Sequence, residues 1–309
     1  MLEGLVSAAL APLVSDLVSE SKQLRAAVQG LLEGPRPERL AAARQSFKVA
    51  TLAWKRAAAF RAGPFATTQA FQHAAFWPAR PSSIEAVLAA SEAIDEPRIE
   101  ALGVDARGLF ALEYLLFAAA RGVAIDATEP MAQRAREYCF ELASNILGYA
   151  TRVGRVLGDG HSYARELGAR GQQGVDQLVA QSVDTLNVVL GKFARVERAQ
   201  QSRAPLETAV EGYFSKTSLD IVRALLDGTR AVYVGGSQGS LSELVVRNAP
   251  VIDEHVRQAF ALADSALMAL GQPLELGLTG EPERFRRAVR AIEQLEHVMK
   301  VEMASALEA

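Results

Sequence analysis

Residues 2–30 read LEGLVSAALAPLVSDLVSESKQLRAAVQG. Leu2, Leu5, Leu10, Leu13, Leu17 and Leu24 recur along one side of a helical repeat, so the segment predicts a long amphipathic helix. No basic run leads it, Glu3 and Asp16 interrupt it, and no small-residue cleavage site follows, so it does not read as an export signal. Gly30, Gly34, Pro35 and Pro37 stop the pattern. A second helix is expected from about Glu38 to Arg61, ending at Gly63-Pro64.

The same periodicity recurs along the chain. Pro64 to Ser83 holds three prolines and four aromatics and predicts an ordered surface segment. Ser82 and Glu85 have capping-box spacing for a short helix after it. Asp105 is a candidate cap for a helix running to Ala120, with Gly122 as its stop. Glu129-Pro130 opens a long helix to about Leu157. Five glycines then fall between Gly158 and Gly174, the best candidate boundary, with Ser162–Leu167 as a helical turn inside it. Helices are expected near Val175–Ala199, Thr217–Leu226, Ser240–Asn248, Val251–Leu270 and Glu281–Leu307. Ala231-Val232-Tyr233-Val234 is the one β-like run. The fold class that follows is all-α, with two helical-bundle domains at 1–160 and 172–309.

Composition narrows the function. The 309 residues are 50% hydrophobic, enough for a sizeable core. Lys and Arg number 33 against 36 Asp and Glu, a net charge of -3 that argues against nucleic acid as partner. A single cysteine, Cys139, excludes a disulfide framework and a Cys-rich metal centre, and reads as an inert buried thiol. No apolar run reaches the roughly 18 residues of a transmembrane segment. None of His73, His161, His255 and His297 forms an HExxH pair; Glu293 and His297 share a helix face but are too few for a metal centre. Gly235 to Ser240 lacks the Lys-Ser/Thr ending of a phosphate loop and reads as a turn with an N-cap at Ser240.

Three clusters carry candidate chemistry. In Gly108-Leu-Phe110-Ala-Leu-Glu113-Tyr-Leu-Leu-Phe117, a carboxylate interrupts an apolar helix. Such a group must be paired, protonated or bound to a cation, unless it sits at the helix rim. In Trp54-Lys55-Arg56 to Phe60-Arg61, Trp54 and Arg61 share a helix face; Arg61 meets an acid or an anionic ligand, or is simply solvated. In Glu211-Gly-Tyr-Phe-Ser215-Lys-Thr-Ser218, the hydroxyls either cap the next helix or, with Glu211, line a polar pocket between the halves.

In order, Ala53-Trp54 to Gly63-Pro64, Phe76-Trp77-Pro78, Gly108 to Phe117, Glu211 to Ser215, Ser218-Leu-Asp-Ile and Ala231 to Gly236 resemble the imelysin family, the M75 peptidase-like and iron-regulated proteins. The resemblance implies two helical domains with a site at their junction and a GxHxxE motif. It also implies export to the periplasm or the periplasmic side of the outer membrane, often as a lipoprotein, with the signal outside this chain, and a part in iron uptake. Gly108 and Glu113 match the motif, but Phe110 stands at its histidine, and a phenyl ring ligates no metal. No catalytic residue is therefore assigned. The expected ligand-binding residues are Trp54, Arg61, Glu113, Glu211, Ser215 and Ser218. Glu113 is the candidate metal ligand should iron or another ion bind. The leading expectation is a non-catalytic binding protein with iron-uptake components of the cell envelope as partners; the alternatives are a metallopeptidase and a helical adaptor.

Overall fold

The computed structural model describes residues 2–60, 68–118, 122–158, 161–235 and 239–308. The chain is helical from Leu2, and its first long helix, α1 (Ala11–Glu33), buries Leu17, Leu24, Val28 and Leu31 while Leu5 and Leu10 continue the stripe ahead of it. Each such side chain contributes about 1.5–3 kcal/mol on burial. Arg39 Nη1 donates to the Gly30 carbonyl at 2.6 Å and closes the end of α1. Next come α2 (Pro37–Ala57), α3 (Ala70–Ala74), α4 (Pro81–Ala89), α5 (Glu96–Ala101), α6 (Leu109–Phe117) and α7 (Pro130–Leu157). Pro37, Pro81 and Pro130 each open a helix, where the ring fixes a suitable φ and the missing N–H is not needed. Helix α1 packs along both α2 and α7, and α6 lies against α2 and α7.

The second half comprises α8 (His161–Ala169), α9 (Gln172–Ser202), α10 (Leu206–Ala209), α11 (Ser218–Val234), α12 (Leu241–Asn248), α13 (Pro250–Leu270), α14 (Leu274–Gly280) and α15 (Pro282–His297). Helices α13 and α15 pair, and α9 packs on α11 and α15. The halves meet where α11 lies along α2. One apolar cluster runs from Leu5 to Ala306 through that junction. No strand occurs among the described residues.

Gly228 sets how closely α11 approaches α2. A Cβ there would sit 2.2 Å from the Arg56 carbonyl oxygen and 3.0 Å from the Ala59 Cβ. Alanine at this site gains about 1 kcal/mol of helix propensity but forces the helices apart. We expect Gly228→Ala to lower stability by about 2 kcal/mol net in urea unfolding. A rise of about 1 kcal/mol, which propensity alone would give, would mean that the contact is not tight.

Several local expectations change. Ala231–Val234 is the last turn of α11: Ile221, Val222, Leu225, Leu226, Thr229, Val232 and Tyr233 form one buried helical stripe, so tertiary burial overrides the β-like composition. Ser82 is no cap, because α4 starts at Pro81 with Arg80 at the N-cap and no side-chain cap bond. Glu85 instead accepts from the Tyr114 hydroxyl at 2.6 Å. Asp105 does not cap α6, whose N-cap is Gly108; it accepts from Ser83 Oγ at 2.9 Å. The Ser240 cap forms as expected, accepting from Glu243 N at 3.0 Å.

Candidate functional site

Helix α6 is apolar on every side and buried from Leu109 to Leu116, which makes it a core helix by pattern. Gly108 fixes its start. Its φ is +80°, and a Cβ would lie 2.7 Å from the Ala74 carbonyl oxygen and 2.8 Å from that of His73. Only glycine combines that backbone geometry with so close an approach. The His73 ring stacks on Tyr149, and its Nδ1 accepts from Arg107 Nη2 at 2.7 Å, since a guanidinium only donates. Burial, then Arg107 and Arg152, hold the imidazole below its usual pKa.

Glu113 thus sits on a rigid helix, 3% exposed, facing the second half. Its Oε1 accepts from the Ser215 backbone N–H at 2.8 Å and from Ser215 Oγ at 2.6 Å. Its Oε2 takes no hydrogen bond from the described residues. Burial pushes the carboxyl up to about 7, against the pull of the two Ser215 bonds; Glu211 and Glu275 push it further up.

The turn from Glu211 to Ser218 supplies the other side. Gly212 has φ +77° and Lys216 φ +61°, and Thr217 N–H donates to the Gly212 carbonyl at 3.0 Å. A Cβ on Gly212 would strike Thr217 Oγ1 at 2.6 Å and Ile221 Cδ1 at 2.8 Å. Glu211 is buried between two ammonium groups: Lys55 Nζ lies 2.5 Å from Oε1, and Lys192 Nζ bonds Oε2. Burial alone would raise this carboxyl, but Lys192 and Lys55 override it and hold it at about 2. Ser218 Oγ donates to Glu275 Oε2 at 2.8 Å and accepts from Leu274 N–H at 2.9 Å, while Lys216 Nζ lies 3.4 Å from Glu275 Oε1. Ser218 therefore ties α11 to α14 rather than capping its own helix.

Glu113, Glu211, Ser215 and Ser218 are thus brought to one turn. Trp54 lies elsewhere: it is fully buried, donates from Nε1 to Ser21 Oγ at 3.2 Å and meets Phe71 edge-on. Its neighbour Lys55, about 100° further round the helix, reaches the site instead. Arg61 lies outside the described residues, as do Gly63, Pro64 and Gly236. Lys55, Lys192 and Glu275 were missed as site residues. Lys55 stood in the Trp54 cluster, but its spacing gave no sign of a buried partner 156 residues away.

A cleft opens beside Glu113, between the 76–81 segment and residues 207–214. Its inner chamber is about 10 Å³ and is bounded by Trp77, Phe110, Glu113, Tyr114, Glu207 and Phe214, among others. That is room for roughly one water-sized group. An adjoining outer chamber of about 570 Å³ shares its walls at Ala79 and Pro81 and reaches Phe76, Asp105 and Thr208.

The donors among the described residues do not suit a bound metal. Phe110, where the family resemblance implies a histidine, places its ring 5.0 Å from Lys55 Nζ. Both oxygens of Glu211 are held by lysines, and Glu275 is held by Ser218 and Lys216. Among the described residues no group of three or more His, Cys, Asp or Glu side chains converges as a cation site.

A buried acid in the middle of a core helix, clasped by a turn from the other half, sits in a chain whose residues 10–300 match the peptidase M75 (imelysin) profile; the chain belongs to the imelysin family. It is 27% identical over 294 residues to iron-regulated protein A of Synechococcus elongatus, covering 90% of this chain and 77% of that protein. The fold is similar to a crystal structure of an iron-regulated-protein-A-like precursor from Parabacteroides distasonis, with TM-score 0.83, 18% identity, and 98% and 93% of the two chains covered. An imelysin-like protein from Psychrobacter arcticum gives TM-score 0.78 at 15% identity, covering 99% and 94%. No described helix is long and apolar enough to cross a membrane.

Proposed function

We propose that this protein is an exported, non-catalytic binding protein of bacterial iron acquisition, with its site in the cleft between helical bundles 1–160 and 172–309. The observation that carries the reading is Glu113: a buried carboxyl on a core helix, with one oxygen held by Ser215, that lines a cleft. The outer chamber has the size of a small-molecule site. Glu113 is the central acid, and Ser215 orients it. Glu211 and Ser218 support the turn through Lys55, Lys192 and Glu275.

The link to iron comes from the relatives named as iron-regulated protein A. The periplasm, or the periplasmic face of the outer membrane through a lipid anchor, is the site of action that fits this role. Components of iron uptake in the cell envelope are its partners. The peptidase reading is disfavoured because Phe110 and the lysine-held Glu211 leave no metal-ligand set among the described residues to activate a water.

The test is growth of the source organism on limiting iron, with the chromosomal copy replaced by Glu113→Ala or by Thr208→Trp, which fills the outer chamber from an exposed position. Both variants are expected to accumulate normally and to slow growth on limiting iron but not on excess iron. Unimpaired growth of both would overturn the proposal.

A further inference from the structure

We propose that the inner chamber takes a primary ammonium group, the compact cationic head of an organic ligand whose stem lies towards the outer chamber. The inference rests on the cleft reading above and specifies its ligand class.

The acid is the first reason. Glu113 is buried and lines the chamber, and among the described residues only its Oε1 accepts hydrogen bonds, both from Ser215. Glu207, an exposed residue, also lines the chamber and adds a second negative group. Among the described residues, no Lys, Arg or His lines this chamber.

The walls are the second reason. Trp77, Phe110, Tyr114 and Phe214 present ring surface, and aromatic faces attract cations. Two of these rings already carry cations: Arg195 lies 5.1 Å from Trp77, and Lys55 lies 5.0 Å from Phe110. Among the described residues, the lysines around this turn are paired elsewhere: Lys55 and Lys192 share Glu211, and Lys216 pairs with Glu275. They therefore do not supply Glu113 with a counter-ion.

Size is the third. A chamber of about 10 Å³ admits a group the size of water, which a primary ammonium matches and a trimethylammonium exceeds. Three N–H donors suit an oxygen that lacks one.

The experiment titrates n-butylammonium, n-butyltrimethylammonium and n-butanol into the full chain at about pH 8, where an amine is charged and a carboxyl near 7 is ionised. Ligand-observed NMR reads the binding. The expected result is n-butylammonium binding at least about tenfold more tightly than either of the others, a gap of about 1.4 kcal/mol. Glu113→Gln should weaken it at least about tenfold, and Glu207→Gln, at an exposed position, by about two- to threefold. Far-ultraviolet circular dichroism of each variant verifies the fold. Equal binding of n-butanol, equal binding of the bulky cation, full retention by Glu113→Gln, or no n-butylammonium binding up to about 10 mM would each overturn the ammonium assignment. If the ammonium fails while low-iron growth still depends on Glu113, the cleft reading stands and only its ligand class is lost.

Discussion

Replacing Glu211 by glutamine is expected to lower the stability of the folded chain by about 3 kcal/mol, the cost of breaking a buried ion pair from one side. The carboxylate is buried, and each of its oxygens holds a lysine, Lys55 from α2 and Lys192 from α9. Glutamine keeps the shape and removes the charge that holds two ammonium groups close together in a low-dielectric setting. The pH dependence has a definite sign. With its pKa depressed to about 2, Glu211 contributes stability above the ordinary carboxyl range, and that contribution is lost as pH falls from about 4.5 towards 2. Urea unfolding of wild type and Glu211→Gln near neutral pH reads the loss. A difference below about 1 kcal/mol would place this cluster with exposed pairs and remove its role as the anchor of the turn.

Glu113 should behave in the opposite sense. Its pKa is raised to about 7, so between about 4.5 and 7 the folded chain keeps a proton that the unfolded chain has released. Its contribution to stability is fully present below the unfolded value and is lost as pH rises through 7, a change of roughly 3 kcal/mol. Glu113→Gln carries no titrating proton, so subtracting its stability curve from that of wild type isolates this group. The difference, wild type minus variant, is expected to fall by about 3 kcal/mol between pH 5 and 8. A flat difference would show that the carboxyl is solvated in the folded state, and with it the buried acid of the cleft would disappear.

The long helices were legible because their apolar spacing is sustained. Pro130–Leu157 was bounded correctly by Glu129-Pro130 and Gly158, where a proline opens the helix and a glycine at φ +57° ends it. Shorter signals were less secure. Ala231–Val234 has strand composition, yet it extends α11, because position on a buried helical stripe outweighs the preference of four residues. Ser82 and Asp105 had the right types for caps, but the chain uses Ser83 and Asp105 to bond each other across 22 residues.

The site divides in the same way. Glu113 stood out because a carboxylate inside an all-apolar helix must be explained. Ser215 and Ser218 stood out because hydroxyls before a helix have a polar task, although that task proved to be tertiary. What the sequence concealed were the partners. Ser215 meets Glu113 across 102 positions, Lys55 meets Glu211 across 156, and Ser218 meets Glu275 across 57. Pairing at such separations is set by how helices pack, and local spacing holds no trace of it.

The turn between Glu211 and Ser218 has a consequence for how this chain can diverge. Glu211 must reach two lysines, Ser215 must meet Glu113, and Ser218 must meet Glu275, all within eight consecutive residues. An insertion or deletion anywhere in that octet would shift at least one of these side chains out of reach. The octet is therefore not free to drift in length.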